Sequence, residues 1–562
     1  MRWLHIRTGS QTHFHFNLKR YYELSFIVVV LLFYGSFTLF RLGLFDLGSD
    51  EGRFGLSALN ILSDYHQLAI VSEEPLGGPG TKPYIYPMFL AISMAVLGKN
   101  EFAIRAVNVI ALAIAAWFLY GLVGNLLNDR ALALLTFALF LLNPGTITYA
   151  RCAMPEPFVV VWGCMGLFAA AQFCLYERLR WAVLCGLALG FGFLSKLWLV
   201  LPFLLGCVIL LAAKFREEYN RKFIHALVLG FFLFLLVSAS HLFLVLWLAP
   251  ELFPHWRSIY YVSTFKSRVA GSGYDPTMWY RPWWFYLAAF FKASFFGLPL
   301  VILGFHSLLK RHNLAATIVI AVLLSPILIL SIFRVKQASY IFPAFPALAL
   351  LLGLGCIYFA REAQRREVAF ASLLSLAVAG FFLMKGVFDL REFSSILVLY
   401  LLPLTLVVAG PQFRILAKGI VFTALASAML FAGALVVRNT LQHRTYYREI
   451  AAYFGPQLLS KNPQDMVFIA PEHPAMEFYT FRSGEYWETY YFQKSTSTFI
   501  HDLQGGAQLF YVVDPSGTLY GGRISPEKLK ALYDHVADVT PEIENLLGEK
   551  ITLQVFAAAS WR

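Results

Sequence analysis

Apolar runs long enough to span a bilayer recur along roughly the first four-fifths of the chain, separated by short polar breaks. A helix needs about 20 apolar residues to cross the hydrocarbon layer, and Ala226–Ala249 is one clear case. By this length rule about thirteen spans are expected, near 24–44, 103–123, 131–143, 157–175, 182–194, 198–213, 225–248, 286–309, 314–332, 340–360, 369–386, 394–410 and 419–437. Pro144, Ser195-Lys196 and Pro343 mark ends of runs. One alternating set of breaks carries Lys19-Arg20, Arg178/Arg180, Lys214/Arg216/Arg221/Lys222, Lys310-Arg311, Arg361/Arg365/Arg366 and Arg414/Lys418. The positive-inside rule makes these cytoplasmic, together with the N-terminus. The first apolar run is long enough to span, so it reads as a helix rather than a cleaved signal. The segments 45–102, 144–156, 249–285, 333–339 and the tail from Arg438 then face outward.

Two outward segments have a pattern of their own. After Asp50-Glu51, Phe54, Ala58, Ile61 and Tyr65 recur at helical spacing, while Arg53, Ser57, Asn60 and Asp64 share another face. That predicts a short amphipathic helix suited to lying on the membrane surface. Gly77-Gly78-Pro79-Gly80 makes a turn, and a second apolar stretch, Tyr84–Leu97, follows Lys82-Pro83. From Arg438 the apolar runs shorten. Met466–Ala470 and Leu509–Val513 suit strands, and Tyr446–Phe454 and Glu527–Val536 suit helices. The expected architecture is an all-α polytopic bundle over residues 1–437 and a small α/β extracytoplasmic domain over 438–562.

Composition agrees. Hydrophobic residues make up 59% of the 562 and charged residues 14%, with a mean hydropathy of +0.63. Both values lie outside the soluble range of about 45–50% apolar and about 25% charged, which excludes a soluble enzyme and a disordered chain. Net charge is +12, yet the tail alone holds 11 Lys+Arg against 14 Asp+Glu. The basic surplus sits in short loops between spans, so no nucleic-acid partner is implied. Cys152, Cys164, Cys174, Cys185, Cys207 and Cys356 lie in or beside apolar runs, with no CxxC pair or Cys/His cluster. They read as small buried hydrophobes.

The outward segments carry the candidate chemistry. Asp50 could serve as a carboxylate general base at the membrane surface, or, with Glu51, could only cap the amphipathic helix. Glu156, between Pro155 and Pro157, could be functional, since ionisable groups at membrane depth are costly, or a first-turn acid opposing a helix dipole. Lys82, Arg268, Arg334, Lys336 and Tyr340 together offer point charges, planar donors and a hydroxyl to a phosphate. Singly, each is an ordinary interfacial residue. Lys196, between two apolar runs, reads as snorkelling, and His241 as hydrogen-bonded to a neighbouring helix. There is no P-loop, GxGxxG fingerprint or GxSxG elbow.

The order of these residues is informative. Asp50-Glu51-Gly52-Arg53-Phe54 resembles the acidic motif of the polyprenyl-phosphate-dependent GT-C glycosyltransferases, most closely the group containing the aminoarabinose transferases and protein O-mannosyltransferases. Thr81-Lys82-Pro83 is similar to that group's Lys-Pro motif, with Tyr84 where a second proline is common. Arg151 and Glu156 resemble its second acidic motif, with Glu in place of the usual Asp. Arg281-Pro-Trp-Trp-Phe-Tyr286 and Lys336-Gln-Ala-Ser-Tyr340-Ile-Phe-Pro343 match two further motifs, so the resemblance covers roughly residues 20–360.

The resemblance implies a helical bundle with an extracytoplasmic site in a bacterial inner membrane. It implies transfer of a sugar from a polyprenyl-phosphate donor to a lipid (lipid A-like), glycan or protein acceptor, with inversion. In that scheme Asp50 is the general base, assisted by Glu51. Arg53 orients the carboxylates. Lys82, Arg268, Lys336 and Tyr340 bind the donor phosphate, and Glu156 places the acceptor or tunes Asp50. No cofactor is required; a divalent metal on the outer carboxylates is compatible but not indicated. Membrane lipids are the other expected partners, and a monomer is expected. A transporter or flippase of a lipid-linked solute is the main alternative. Such proteins usually place polar groups near the bilayer midplane within repeated halves, whereas here they gather toward one face. A non-catalytic scaffold would leave the ordered outer charges unexplained.

Overall fold

A computed structural model of the protein describes residues 13–44, 49–66, 83–217, 221–255, 281–294, 297–311, 314–334, 336–385 and 414–442, with Leu47, Leu68 and six short strands between 466 and 558. The expected 394–410 span, the Gly77–Gly80 turn and both tail helices up to residue 535 lie outside these residues. Apolar segments form helices here because a helix satisfies its own backbone hydrogen bonds, which hydrocarbon cannot do.

The helices begin with α1 (His13–Leu39), α2 (Ser49–Ser63), α3 (Ile85–Leu97), α4 (Glu101–Leu127), α5 (Arg130–Leu141) and α6 (Pro144–Ala150). Next come α7 (Glu156–Tyr176), α8 (Leu179–Lys196), α9 (Leu201–Glu217), α10 (Arg221–Leu248) and α11 (Phe285–Ser294). The last are α12 (Leu298–Arg311), α13 (Leu314–Ser331), α14 (Phe345–Arg361), α15 (Arg365–Met384) and α16 (Arg414–Gln442). Among the described residues eight helices are long and apolar enough to cross a membrane, or ten if two bent pairs each count as one span. The described residues thus show eight to ten of the thirteen expected spans. The 198–213 and 314–332 runs form the shorter α9 and α13, and the 286–309 run is divided into α11 and α12, whose axes differ by 104°. A second bend, of 57°, separates α5 from α6. Pro144 opens α6, and the Asn143 side chain accepts from the Gly145 amide at 2.8 Å, so the break is capped.

The span containing α14 is 94% buried and α7 78%, against 17% for α10 and 22% for α1. The apolar core therefore forms around α4, α7 and α14, and the outer helices turn large side chains such as Phe231 and Trp247 outward. The crossing of α12 and α14 needs glycine on both helices. A Cβ on Gly355 would lie 1.8 Å from the Leu300 carbonyl oxygen, and one on Gly304 2.0 Å from that of Leu351. Gly355→Ala is expected to force α12 and α14 apart and to cost about 1–3 kcal/mol, read as a lower melting midpoint in detergent.

The tail contributes β1 (Met466–Ile469), β2 (Gln508–Val513), β3 (Val536–Asp538), β4 (Glu542–Glu544), β5 (Lys550–Thr552) and β6 (Gln554–Ala558). Four form a sheet in the order β1-β2-β6-β3, with β1 and β2 parallel and β6 antiparallel to both neighbours; β4 and β5 pair as a separate ribbon. The two runs read as strands from sequence fall at β1 and β2. Their parallel pairing demands a long crossover between them. Val536, read as a helix end, starts β3.

Candidate active site

Asp50 and Glu51 are consecutive on α2, so about 100° of helical rotation separates them. The consequence is a division of labour. The Asp50 side chain is 46% exposed and lies 4.0 Å from the Arg53 guanidinium. Glu51 turns inward, its side chain only 10% exposed. Its two oxygens accept from Arg105 Nε and Nη2, each at 2.9 Å, and Oε1 also accepts from the Ala153 amide at 2.7 Å. Arg105 is fully buried and donates to the Leu42 carbonyl as well. Bidentate geometry with every charge matched is what a buried ion pair needs to persist.

The 151–155 loop is held from the other side too. Arg151 Nη1 donates to the carbonyls of Phe37, Thr38 and Phe40, where α1 ends. Asn108 Nδ2 donates to the carbonyls of Cys152 and Met154. Tyr86 fills the space between α2 and α7, its ring 5.2 Å from Phe54 and 5.5 Å from Phe158. The α2 helix is therefore not a solvated surface helix. Residues 54–60 are all buried, Ser57 and Asn60 included, so the middle of the polar face is packed inside the protein against α3, while Arg53 is half-buried and Asp64 exposed at its ends.

Glu156 opens α7 and is wholly buried. Its Oε1 accepts from Lys196 Nζ at 2.6 Å. Lys196 thus does not snorkel. It neutralises Glu156, and its ammonium lies 4.6 Å from the centre of the Tyr340 ring. Tyr340 is buried in the 3₁₀ turn Ala338–Ala344. Just before that turn Lys336, also buried, donates to the carbonyls of Arg281 and Phe333. Two of its three N–H groups are so occupied, and burial lowers its pKa. The Tyr286 hydroxyl accepts from the Gln337 amide at 3.2 Å, joining α11 to the same turn.

Of the described members of the expected site, Glu51 is tied to the 151–155 loop through Ala153, Glu156 to Tyr340 through Lys196, and Lys336 to Arg281, while Asp50 and Arg53 face each other on α2. Lys82 and Arg268 lie outside the described residues. Arg334 is exposed. His241 is buried and stacks on Tyr84 at 5.9 Å. Sequence reasoning missed Arg105 and the partnership of Lys196. A signal existed for both: each is a cation at the edge of an apolar run, where a charge is costly without a partner. Among the described residues no group of three His, Cys, Asp or Glu side chains could hold a metal.

A polytopic bundle with buried charge pairs gathered at one end defines a membrane protein built around a polar site. Comparison with known proteins shows what the chain is similar to. Residues 81–243 match the family model described as dolichyl-phosphate-mannose-protein mannosyltransferase. The chain is 28% identical over 288 residues to undecaprenyl phosphate-alpha-4-amino-4-deoxy-L-arabinose arabinosyl transferase 1 of Pseudomonas fluorescens, covering 48% of this chain and 47% of that one. It is 28% identical over 388 residues to the corresponding transferase of Pseudomonas aeruginosa strain UCBPP-PA14, covering 65% and 67%. In the first of these the chain spans about half the relative's length. The crystal structure of ArnT from Cupriavidus metallidurans bound to undecaprenyl phosphate superposes with a TM-score of 0.62 at 15% identity, covering 95% of this chain and 98% of that one. The protein has the fold of that transferase, and residues 81–243 are similar to the protein mannosyltransferase family model.

Proposed function

We propose that this protein is an inner-membrane glycosyltransferase that moves a sugar from a polyprenyl-phosphate carrier to an acceptor on the extracytoplasmic face. The observation that carries this reading is the contrast within one helix turn: Glu51 is consumed by a buried ion pair, while its neighbour Asp50 stays accessible, 4.0 Å from the Arg53 guanidinium. Asp50 takes the proton from the acceptor hydroxyl or amine as that atom attacks the anomeric carbon. The bond from that carbon to the phosphate oxygen breaks, and the configuration inverts. The departing polyprenyl phosphate gains negative charge, so the main catalytic demand is on preorganised donors. Lys336 and Tyr340 supply them, with Lys82 and Arg268 from the neighbouring segments.

Glu51 and Arg53 are positioning residues in this scheme. Glu156, neutralised by Lys196, shapes the acceptor side. A carrier that cannot leave the bilayer keeps its phosphate at headgroup depth, so the cations must stand where helices end, as Lys196 and Lys336 do. Lipid A-like lipids, glycans and proteins are the acceptor classes this arrangement could serve. The N-terminus is on the cytoplasmic side and the tail domain on the same side as the site, following the distribution of basic loops.

Lys336→Ala tests the phosphate assignment. It is expected to raise the apparent KM for a polyprenyl-phosphate sugar by about tenfold or more, the loss of one or two charge-assisted contacts. Transfer assays on purified protein with donor varied at fixed acceptor read this out. Wild-type kinetics at limiting donor would remove Lys336 from the donor site.

A further inference from the structure

The four helices α7, α8, α9 and α10 line a cavity of ≈ 460 Å³, open on the outer side where Val208 and Phe231 are exposed, that the transfer reaction does not use. Its walls are apolar throughout and include Phe173, Ala182, Leu189, Leu211 and Phe231, with two thiols, Cys185 and Cys207. Its size falls within the range of about 300–1,000 Å³ typical of ligand sites. It is remote from the charged site. On α8 the lining residues precede Lys196 by 7 to 14 positions, or ~10–20 Å along the axis. On α7, Ala170 and Phe173 follow Glu156 by 14 and 17 positions, or ~20–25 Å. The cavity therefore lies toward the opposite ends of these helices.

Those ends are basic. Over residues 177–180 and 214–222 the sequence holds six Lys or Arg against three Glu. Lys214 is spoken for, 3.3 Å from Glu177. Arg178, Arg180, Arg216 and Arg221 are exposed, and the Arg180 guanidinium lies 5.1 Å from the Trp181 ring centre. Trp181 and Leu211, which borders the cavity, pack on the same small cluster of Phe173, Ala182, Phe223 and Ala226. An apolar cavity stays dry, so within a bilayer hydrocarbon is what fills it. Exposed arginines where the helices meet the interface select an anionic headgroup for that hydrocarbon. We propose that an anionic phospholipid docks here, with one acyl chain in the cavity and its phosphate against Arg178, Arg180 and Arg221.

The test uses the full-length protein in detergent, incubated with mixed micelles of phosphatidylcholine and phosphatidylglycerol and then delipidated stepwise under native mass spectrometry. One phosphatidylglycerol should remain on the wild-type protein. The triple variant R178Q/R180Q/R221Q should retain it about tenfold less well. Val208→Trp, which places an indole in the cavity, should lose it. Equal retention of the two lipids, or polyprenyl phosphate as the retained species, would overturn the proposal. A second measurement needs no variant. N-ethylmaleimide labelling of Cys185 and Cys207, followed by peptide mass spectrometry, should slow several-fold with phosphatidylglycerol and not with phosphatidylcholine. Cys164 and Cys356, buried elsewhere in the core, serve as references. Labelling of Cys185 and Cys207 that ignores headgroup charge would refute the site.

Discussion

Asp50→Asn is expected to lower sugar transfer by about 10²–10⁴-fold or more, the usual contribution of a positioned general base. Donor binding and the melting midpoint should stay near wild type. The reason is local. The Asp50 side chain is 46% exposed, and its ion pair with Arg53 is long at 4.0 Å, a geometry that contributes little to stability. The isosteric amide also keeps the shape of the side chain in the first turn of α2. Measurement of kcat with saturating donor and acceptor, beside a donor-binding titration, separates the two effects. Full activity in the variant would remove Asp50 as the base.

Arg105→Ala should behave in the opposite way. It leaves the Glu51 carboxylate buried without its guanidinium, and breaking such a pair costs about 3–5 kcal/mol. Only the Ala153 amide would remain of the contacts described for that carboxylate, so the 151–155 loop should loosen as well. Thermal unfolding in detergent is expected to show a much lower midpoint, with activity lost because the fold is lost. Combining it with Glu51→Gln should recover part of the stability, since the orphaned charge is then gone. If Arg105→Ala melted like the wild type, the pair would not be what secures α2.

Much of this architecture was readable from the chain. Alternating basic loops assigned Asp50, Glu156, Lys336 and Tyr340 to segments at one end of the helices, and the described contacts link Glu156 to Tyr340 through Lys196. What periodicity could not supply was the partner. Helical spacing says that Ser57 and Asn60 share a face, but not that the bundle covers that face. Glu51 and Asp50 look equivalent in sequence, and only the direction of α2 relative to α4 sends one toward Arg105 and the other toward open space. The 104° turn between α11 and α12 escaped for a related reason: an apolar run reports its length and not its straightness.

The loop between α6 and α7 carries an implication for biogenesis. Ala153 binds a carboxylate 102 residues earlier, and Arg151 closes the end of a helix more than 110 residues upstream. The first helix therefore leaves the translocon with its exit corner unfinished. Glu51 meets Arg105 only after another 54 residues have been made, and the corner locks only when the segment beyond Pro144 arrives. A nascent chain halted before Arg105 is made would expose Glu51 as an unmatched acid, and one halted before the 151–155 loop would leave that pair without its Ala153 contact.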